Sequence, residues 1–416
     1  MKIGEVAEKY NISKDTLRYY LKSGLLIPGG MNKYSRLEFQ DRDLEDLELI
    51  LRMKDQQFSL KEILTMLTLR RTSNMVEPQT VGIYTQLYEG KKRELQKQIG
   101  ELNRAIDSIE QDKARLTEES GGTSVMTGVP LRALSLLQCL VCGGTLRLER
   151  ADLDAHYIYR GSLCCSCGKK LQIENGIVET GNRYTGKYDR PDIRRELYSN
   201  AGGLFVSYVQ KGLDEIYKYL HQNRHKTGVI METHINSFFF AYNHLDAIPE
   251  DSLCIVVDKF PELLSEYKRL LEFMGVQRDF LYIADNSMKL PLRKNSVDLL
   301  INCMSDNEYC LYSSGSYIED VKPFLKDEAD VIGILLSFDG YTESQRRIHK
   351  KYPEGNEDPF SRKLYEQQYQ DAGYHLTLKE EGAVWAKENG EQFVWSCLVP
   401  EDPLLIAYLH AVPQRE

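Results

Sequence analysis

The densest chemistry in this 416-residue chain is a cysteine group, Cys139-Leu-Val-Cys142-Gly-Gly followed by Cys164-Cys165-Ser-Cys167-Gly. Two CxxC pairs, 139/142 and 164/167, stand 21 residues apart, and each runs directly into glycine. Thiolates at this spacing form paired knuckles that can close a tetrahedral zinc site, so Cys139, Cys142, Cys164 and Cys167 are the expected ligands. Cys165 is an alternative fourth ligand, but 164/167 preserves the repeat. Four sulfurs leave no open coordination position, which makes such a zinc structural and not catalytic. Redox sensing by the same thiols is the functional rival.

A second chemistry-bearing group opens the chain. Residues 1–36 carry seven Lys/Arg against three Asp/Glu, although the whole chain has a net charge of −9. A local positive patch on an acidic body suits a small DNA-binding head rather than a protein that coats nucleic acid. The elements around the patch agree. Ile3, Val6 and Ala7 sit at helical spacing, Asn11-Ile12-Ser13 makes a polar break, and Leu17, Tyr20, Leu21 and Leu25 begin a second apolar period. Ser13 stands where an N-cap oxygen is wanted and Gly24 where a helix ends. This is the layout of a helix-turn-helix.

Thr16-Leu17-Arg18-Tyr19-Tyr20, followed by Gly24-Leu25-Leu26 and Pro28, resembles the recognition helix of the MerR family of bacterial transcription regulators, and the likeness runs over about the first 70 residues. It implies that Lys14, Thr16, Arg18 and Tyr19 lie on or beside a helix in the major groove, with Tyr20 in the core. Gly29 to Arg36 falls where that family carries its wing, which makes Lys33, Tyr34 and Arg36 expected DNA contacts. Leu44, Leu47, Ile50 and Leu51 mark an inward helix face, and Ser59 with Glu62 forms a capping box for the next helix.

From 81 to 118 the chain reads as one long charged helix. Leu95, Ile99, Leu102, Ile106 and Ile109 alternate steps of four and three, and Leu116 returns to the same seam. A stripe this narrow in a polar surround suits a two-helix coiled coil, and MerR-like proteins place an antiparallel dimerisation helix here. Glu118 to Ser124 then reads as a flexible linker.

Beyond the cysteines, Leu171-Gln-Ile-Glu-Asn-Gly176-Ile-Val resembles the small zinc ribbons that precede certain bacterial methyltransferase domains. Strand-like and helix-like segments alternate from about 225, as in an α/β sheet. Strands are expected at 228–232, 253–258, 280–285, 296–302 and 329–336, helices at 261–274 and 361–372, and two late strands near 375–385 and 392–399. The phrase Asp285…Leu290-Pro291…Ser296-Val-Asp-Leu-Leu resembles the class I S-adenosylmethionine-dependent methyltransferase fold. That resemblance gives Asp258 a role at ribose hydroxyls and Asp285 a role at the adenine amine. The family's glycine-rich loop is missing, because Glu232-Thr-His-Ile-Asn-Ser-Phe-Phe-Phe240 stands in its place. Glycine is needed there so that the backbone can approach the ligand closely. S-adenosylmethionine is therefore not expected to bind, nor the domain to catalyse methyl transfer. A small-molecule effector pocket lined by His234, Phe238 and Tyr309 is the expected use of such a fold, with an active methyltransferase or a ligandless scaffold as rivals.

The fold class that follows is multidomain, α plus α/β. The expected parts are a winged helix-turn-helix (1–75), a coiled-coil dimerisation helix (76–119), a linker (120–134), a zinc ribbon (135–185) and a Rossmann-like methyltransferase-fold domain (186–416). The expected partners are promoter DNA, RNA polymerase and a second copy of the chain. No apolar run approaches the roughly 18–20 residues that span a bilayer, so no membrane partner is expected and the location is expected to be cytoplasmic.

Overall fold

The computed structural model describes residues 1–31, 37–73, 75–119, 124–195, 201–386 and 396–414. Two compact units, Met1–Glu118 and Glu119–Glu416, make up the chain. Among the described residues no helix is long and apolar enough to cross a membrane.

In the first unit, α1 (Ile3–Lys9) and α2 (Lys14–Lys22) form the helix-turn-helix. Ser13 Oγ accepts from the Thr16 amide at 2.9 Å, the cap that the polar break supplies. Gly24 leaves α2 at φ +71°, a left-handed turn that costs glycine nothing. A small antiparallel pair follows, β1 (Gly30–Met31) with β2 (Leu37–Glu38), where the wing is expected. Asp43 fastens its base to the next helix, accepting from the amides of Gly29 (2.9 Å) and Gln40 (2.8 Å).

Helices α3 (Asp41–Asp55) and α4 (Leu60–Thr72) complete the head. Leu44, Leu47 and Ile50 are buried on α3, as their spacing requires, together with Leu49, whereas Leu51 is only half-buried. The Ser59–Glu62 capping box forms. Arg71, near the end of α4, donates to Asp46 and to the carbonyls of Gly24 and Leu25, locking α4 against the turn that ends α2. Helix α5 (Pro78–Glu119) runs for 42 residues, about 63 Å at 1.5 Å per residue. Its first turns pack Tyr84 and Leu87 on the head's core.

The second unit is built on one sheet of twelve strands among the described residues. In chain order it contains β3 (Val129–Pro130), β4 (Arg147–Leu153), β5 (Tyr157–Cys164), β6 (Lys170–Glu174) and β7 (Ile177–Glu179). Next come α6 (Gly203–Gln222), β8 (Val229–Thr233), α7 (Phe240–Asn243), β9 (Leu253–Asp258), α8 (Pro261–Phe273) and β10 (Asp279–Ala284). After these come β11 (Val297–Cys303), α9 (Ser305–Tyr312), α10 (Tyr317–Val321), β12 (Leu325–Ser337), α11 (Glu343–Lys351), α12 (Arg362–Asp371), β13 (Tyr374–Val384) and β14 (Leu404–Pro413).

The main path runs β13-β14-β12-β11-β8-β9-β10-β7-β6-β5-β3, with β4 on β5. Strands β8 to β12 are mutually parallel and β14 is antiparallel to β12, so the strand order reverses beside β8. This is a doubly wound α/β sheet with a reversed strand near one edge. Both faces are covered, which is why the central strands are largely apolar. Cys254 and Val256 of β9 face the cluster that holds α6 and α8, and Leu253, Ile255 and Val257 face the cluster that holds α10 and α12.

Three features differ from expectation. Residues 135–185 are not a separate body: β7 pairs in parallel with β10, and Leu163, Leu171, Ile173 and Val178 share a core with Ile255 and Leu281. Part of the expected linker is ordered structure, with Val129 fully buried in β3. The last strand lies at 404–413 and not at 392–399. Residues 392–395 lie outside the described residues, and Cys397–Val399 are buried without joining a strand. The run Leu404–Ala411 instead has the length to pair with β12 from Ser337 to Val331.

Candidate nucleic-acid interface, cysteine cluster and sheet-end site

On α2, Leu17 and Tyr20 face the core, while Lys14, Arg18 and Tyr19 are exposed. Lys14 and Arg18 stand one helical turn apart and so present one basic face. Arg18 touches Asp15 at 2.7 Å, but both side chains are solvated. Such a pair contributes little and leaves the guanidinium available. Thr16 is half-buried, its hydroxyl 2.8 Å from Ser13 Oγ, so part of its role is in the cap. Lys33, Tyr34 and Arg36 lie outside the described residues.

The sulfur atoms of Cys139, Cys142, Cys165 and Cys167 all lie within 4.8 Å of one another. Cys139 and Cys167 are 3.6 Å apart, Cys142 and Cys165 3.4 Å. A tetrahedral zinc with bonds of about 2.3 Å wants sulfurs about 3.8 Å apart, so this donor set fits the ion. Gly144 makes room for it, since a Cβ there would come within 3.2 Å of the Cys142 sulfur.

Cys165, and not the expected Cys164, completes the set. Cys164 is the last ladder residue of β5, paired with Lys170 and Arg147, and its thiol faces Glu149. The knuckle turn begins one residue later, where the Cys165 carbonyl accepts from Gly168 and its amide donates to Lys169. The amide of Cys167 also pulls the Cys165 thiol down to about 6, which favours a thiolate ligand.

At the carboxyl ends of the parallel strands, the loop after β8 is packed with buried side chains. His234 takes φ +53° and donates its amide to Val257. Its ring meets Tyr309 edge-on at 5.6 Å and Tyr317 at 5.7 Å, and Nδ1 lies 3.0 Å from Thr233 Oγ1. Burial and the nearby Lys259 ammonium push the His234 imidazole down to about 3. Tyr309 donates to Asp320 at 2.6 Å. Phe238 does not join this group, because it stacks on His244 at 6.3 Å. The expected pocket trio is therefore only a pair, His234 and Tyr309.

Asp258 ends β9 and Asp285 directly follows β10, and both are buried and engaged by protein donors. Asp258 accepts from the Asn236 amide (3.0 Å) and the Phe260 amide (2.9 Å), and burial raises its carboxyl to about 6. Asp285 accepts from Thr180 Oγ1 and from the Ser287 amide, each at 2.7 Å. Burial also pushes Glu232 up to about 8, opposed by bonds from the Phe240 and Ala241 amides.

Sequence reasoning missed Lys259 and Asp189, which with Glu308 form a group of three charged side chains buried beside Asp258. Burial raises Glu308 to about 8 against the pull of Lys259. The signal was present in Asp258-Lys259, a lysine placed directly after a buried strand.

Two family models match the first unit: MerR HTH family regulatory protein over residues 1–69, and MerR, DNA binding, over 44–111. An uncharacterised HTH-type transcriptional regulator of Haemophilus influenzae is 34% identical over 106 residues, which are 26% of this chain and 76% of the relative. A crystal structure of HiNmlR, a MerR family regulator lacking the sensor domain, bound to promoter DNA, is 32% identical. It covers 28% of this chain and 90% of its own, with a TM-score of 0.23. A Haemonchus contortus N-methyltransferase in complex with S-adenosylhomocysteine is 11% identical over 50% of this chain and 53% of its own, with a TM-score of 0.38. The head's sequence and its capped helices together place the chain in the MerR family of HTH regulatory proteins, with its head followed by a doubly wound α/β sheet.

Proposed function

We propose that this protein is a homodimeric transcription regulator that binds promoter DNA through α2 and the wing and joins two copies through α5. The observation that carries the reading is the exposed seam of α5. Ile99, Leu102, Ile106 and Ile109 are 56–63% exposed on a helix that is otherwise charged. An apolar seam of this kind costs hydration until a second helix covers it, and two joined heads can then read two half-sites. The MerR relative bound to promoter DNA supports the same use of the head here. In this mechanism the dimer bends and untwists the operator, and backbone contacts supply the energy that realigns promoter elements for RNA polymerase. Cys139, Cys142, Cys165 and Cys167 would hold a zinc ion, which would keep the knuckles folded.

The C-terminal unit acts as a ligand-sensing effector domain and not as a methyltransferase. His234, Tyr309 and Tyr317 crowd the loop that would need glycine, and Asp258 is already bonded to the loop's own amide. Asp258 and Asp285 at their strand ends favour a second reading, methyl transfer. Calorimetric titration with S-adenosylmethionine separates the two: no heat is expected, and micromolar binding would favour the enzyme.

Sedimentation of the full chain tests the dimer. Wild type is expected to sediment with twice the chain mass, and Leu102→Asp with the mass of one chain. A dimer that survives Leu102→Asp would contradict the seam.

A further inference from the structure

Beside Asp258 the second unit buries a positive charge that neither DNA binding nor zinc uses. Lys259 is only 5% exposed. Its ammonium lies 2.5 Å from Asp189 Oδ2 and 3.2 Å from Glu308 Oε1. It sits 3.8 Å from the ring centre of Tyr312, 5.2 Å from Tyr184 and 5.5 Å from Phe260. Tyr184 meets Phe260 and Tyr312 edge to face at 5.9 and 6.0 Å, so the three rings make one continuous wall. Glu308 is as deeply buried, and its Oε2 has no hydrogen-bond partner among the described residues.

This is more recognition than one lysine requires. Asp189 alone neutralises the ammonium, yet a second carboxyl and three aromatic faces surround the same point. Ring faces attract cations through their quadrupoles, most strongly when the cation is poorly hydrated, as a methylated ammonium is. The cage is also assembled from separate parts of the unit: Asp189 from 181–195, Lys259 and Phe260 from the turn after β9, and Glu308 and Tyr312 from α9. Segment 181–195 is hooked to the loop after β8, because the Asp192 amide donates to Asn236 Oδ1 (2.7 Å) and Asn236 Nδ2 to the Arg190 carbonyl (3.0 Å). Whatever occupies the cage therefore bears on three segments at once.

We propose that this cage is a binding site for a small alkylammonium cation, with Lys259 as a resident occupant that the ligand displaces. The four-carbon stem lets the lysine ammonium withdraw to water, and exchanging one cation for another keeps Asp189 neutralised. Calling that cation the effector rests on the regulator reading; the site itself does not. A ligand that holds Asp189 differently from Lys259 shifts segment 181–195, which gives the differential contact any sensor needs.

Isothermal titration of the full chain with tetramethylammonium chloride, against sodium chloride at equal concentration, tests the site. Wild type is expected to bind saturably. Tyr312→Leu is expected to weaken binding by about tenfold, the scale of a desolvated cation–ring contact, and Asp189→Asn to weaken it by removing the charge that pairs the cation. Lys259→Met tightens it by at least as much, because no resident charge must leave. Absence of saturable binding by wild type overturns the proposal. Binding by Lys259→Met alone also overturns it, by making the lysine a permanent plug, and so does wild-type binding indifferent to both Asp189→Asn and Tyr312→Leu. Cation binding by a chain that binds no DNA would leave the site standing and remove the regulator reading instead.

Discussion

At the scale of single residues, the choice between Cys164 and Cys165 shows how one position of register decides chemistry. Spacing alone favoured the repeat 164/167, but the β5 ladder runs on through Cys164 and hands the knuckle to Cys165. Metal analysis is therefore expected to find one zinc ion per chain in wild type and in Cys164→Ser, and none in Cys165→Ser. The reverse result would restore the sequence repeat.

His234 offers a second test. Its imidazole ordinarily titrates near 6.5 and is held down to about 3 in the fold, by burial first and the Lys259 ammonium second. The unfolded chain thus binds a proton that the folded chain refuses, so its contribution is complete above about pH 6.5 and is lost as pH falls toward 3. Glu232 and Glu308, raised to about 8, act in the opposite sense and are lost as pH rises through that value. The comparison that isolates the histidine is wild type against His234→Asn, asparagine being tolerant of the positive φ. Between pH 7 and pH 5 wild type is expected to lose on the order of 1–2 kcal/mol more than the variant in urea unfolding. Parallel pH profiles would mean that the ring already titrates normally in the fold.

At the scale of elements, local rules were enough for the head. A cap at Ser13, a stop at Gly24 and a capping box at Ser59–Glu62 are short-range signals, and each is found in place. The parallel strands were readable as apolar runs because both faces of the sheet are covered. Helix α6 was not anticipated, although Phe205, Val209, Leu213, Ile216 and Leu220 carry its period and all are buried. The last strand was misplaced because two apolar runs competed, and only the non-local pairing of Leu404–Ala411 with β12 decides between them.

The attachment of β7 to β10 was equally illegible, since nothing local says that a ribbon will extend a sheet. It has a thermodynamic consequence. The knuckles share a core with the parallel strands, so chelating the zinc is expected to lower the melting temperature of the whole second unit in one transition. A separate low-temperature transition for residues 124–185, seen by hydrogen exchange, would show an independent ribbon.

At the scale of the whole molecule, the chain joins a basic reading head, a long helix with an uncovered apolar seam, and an α/β unit whose strand-end loops are crowded with side chains. The DNA-binding part was legible because it rests on surface residues at fixed helical offsets. The second unit was legible only as a departure from the pattern it resembles, with no glycine in the loop after β8. What replaces the glycine, a histidine between two tyrosines and a caged lysine, depends on contacts between segments far apart in sequence. In the proposed regulator, Arg18 and its neighbours on α2 are expected to read DNA from within a dimer. The most direct measurement is fluorescence anisotropy of a duplex selected from random sequence by the full chain, titrated with wild type and with Arg18→Ala. Wild type is expected to bind with two chains per duplex, and Arg18→Ala to lose about tenfold or more in affinity while remaining a dimer, the scale of one good base contact. Equal affinity for the two proteins would take Arg18 off the DNA and contradict the account.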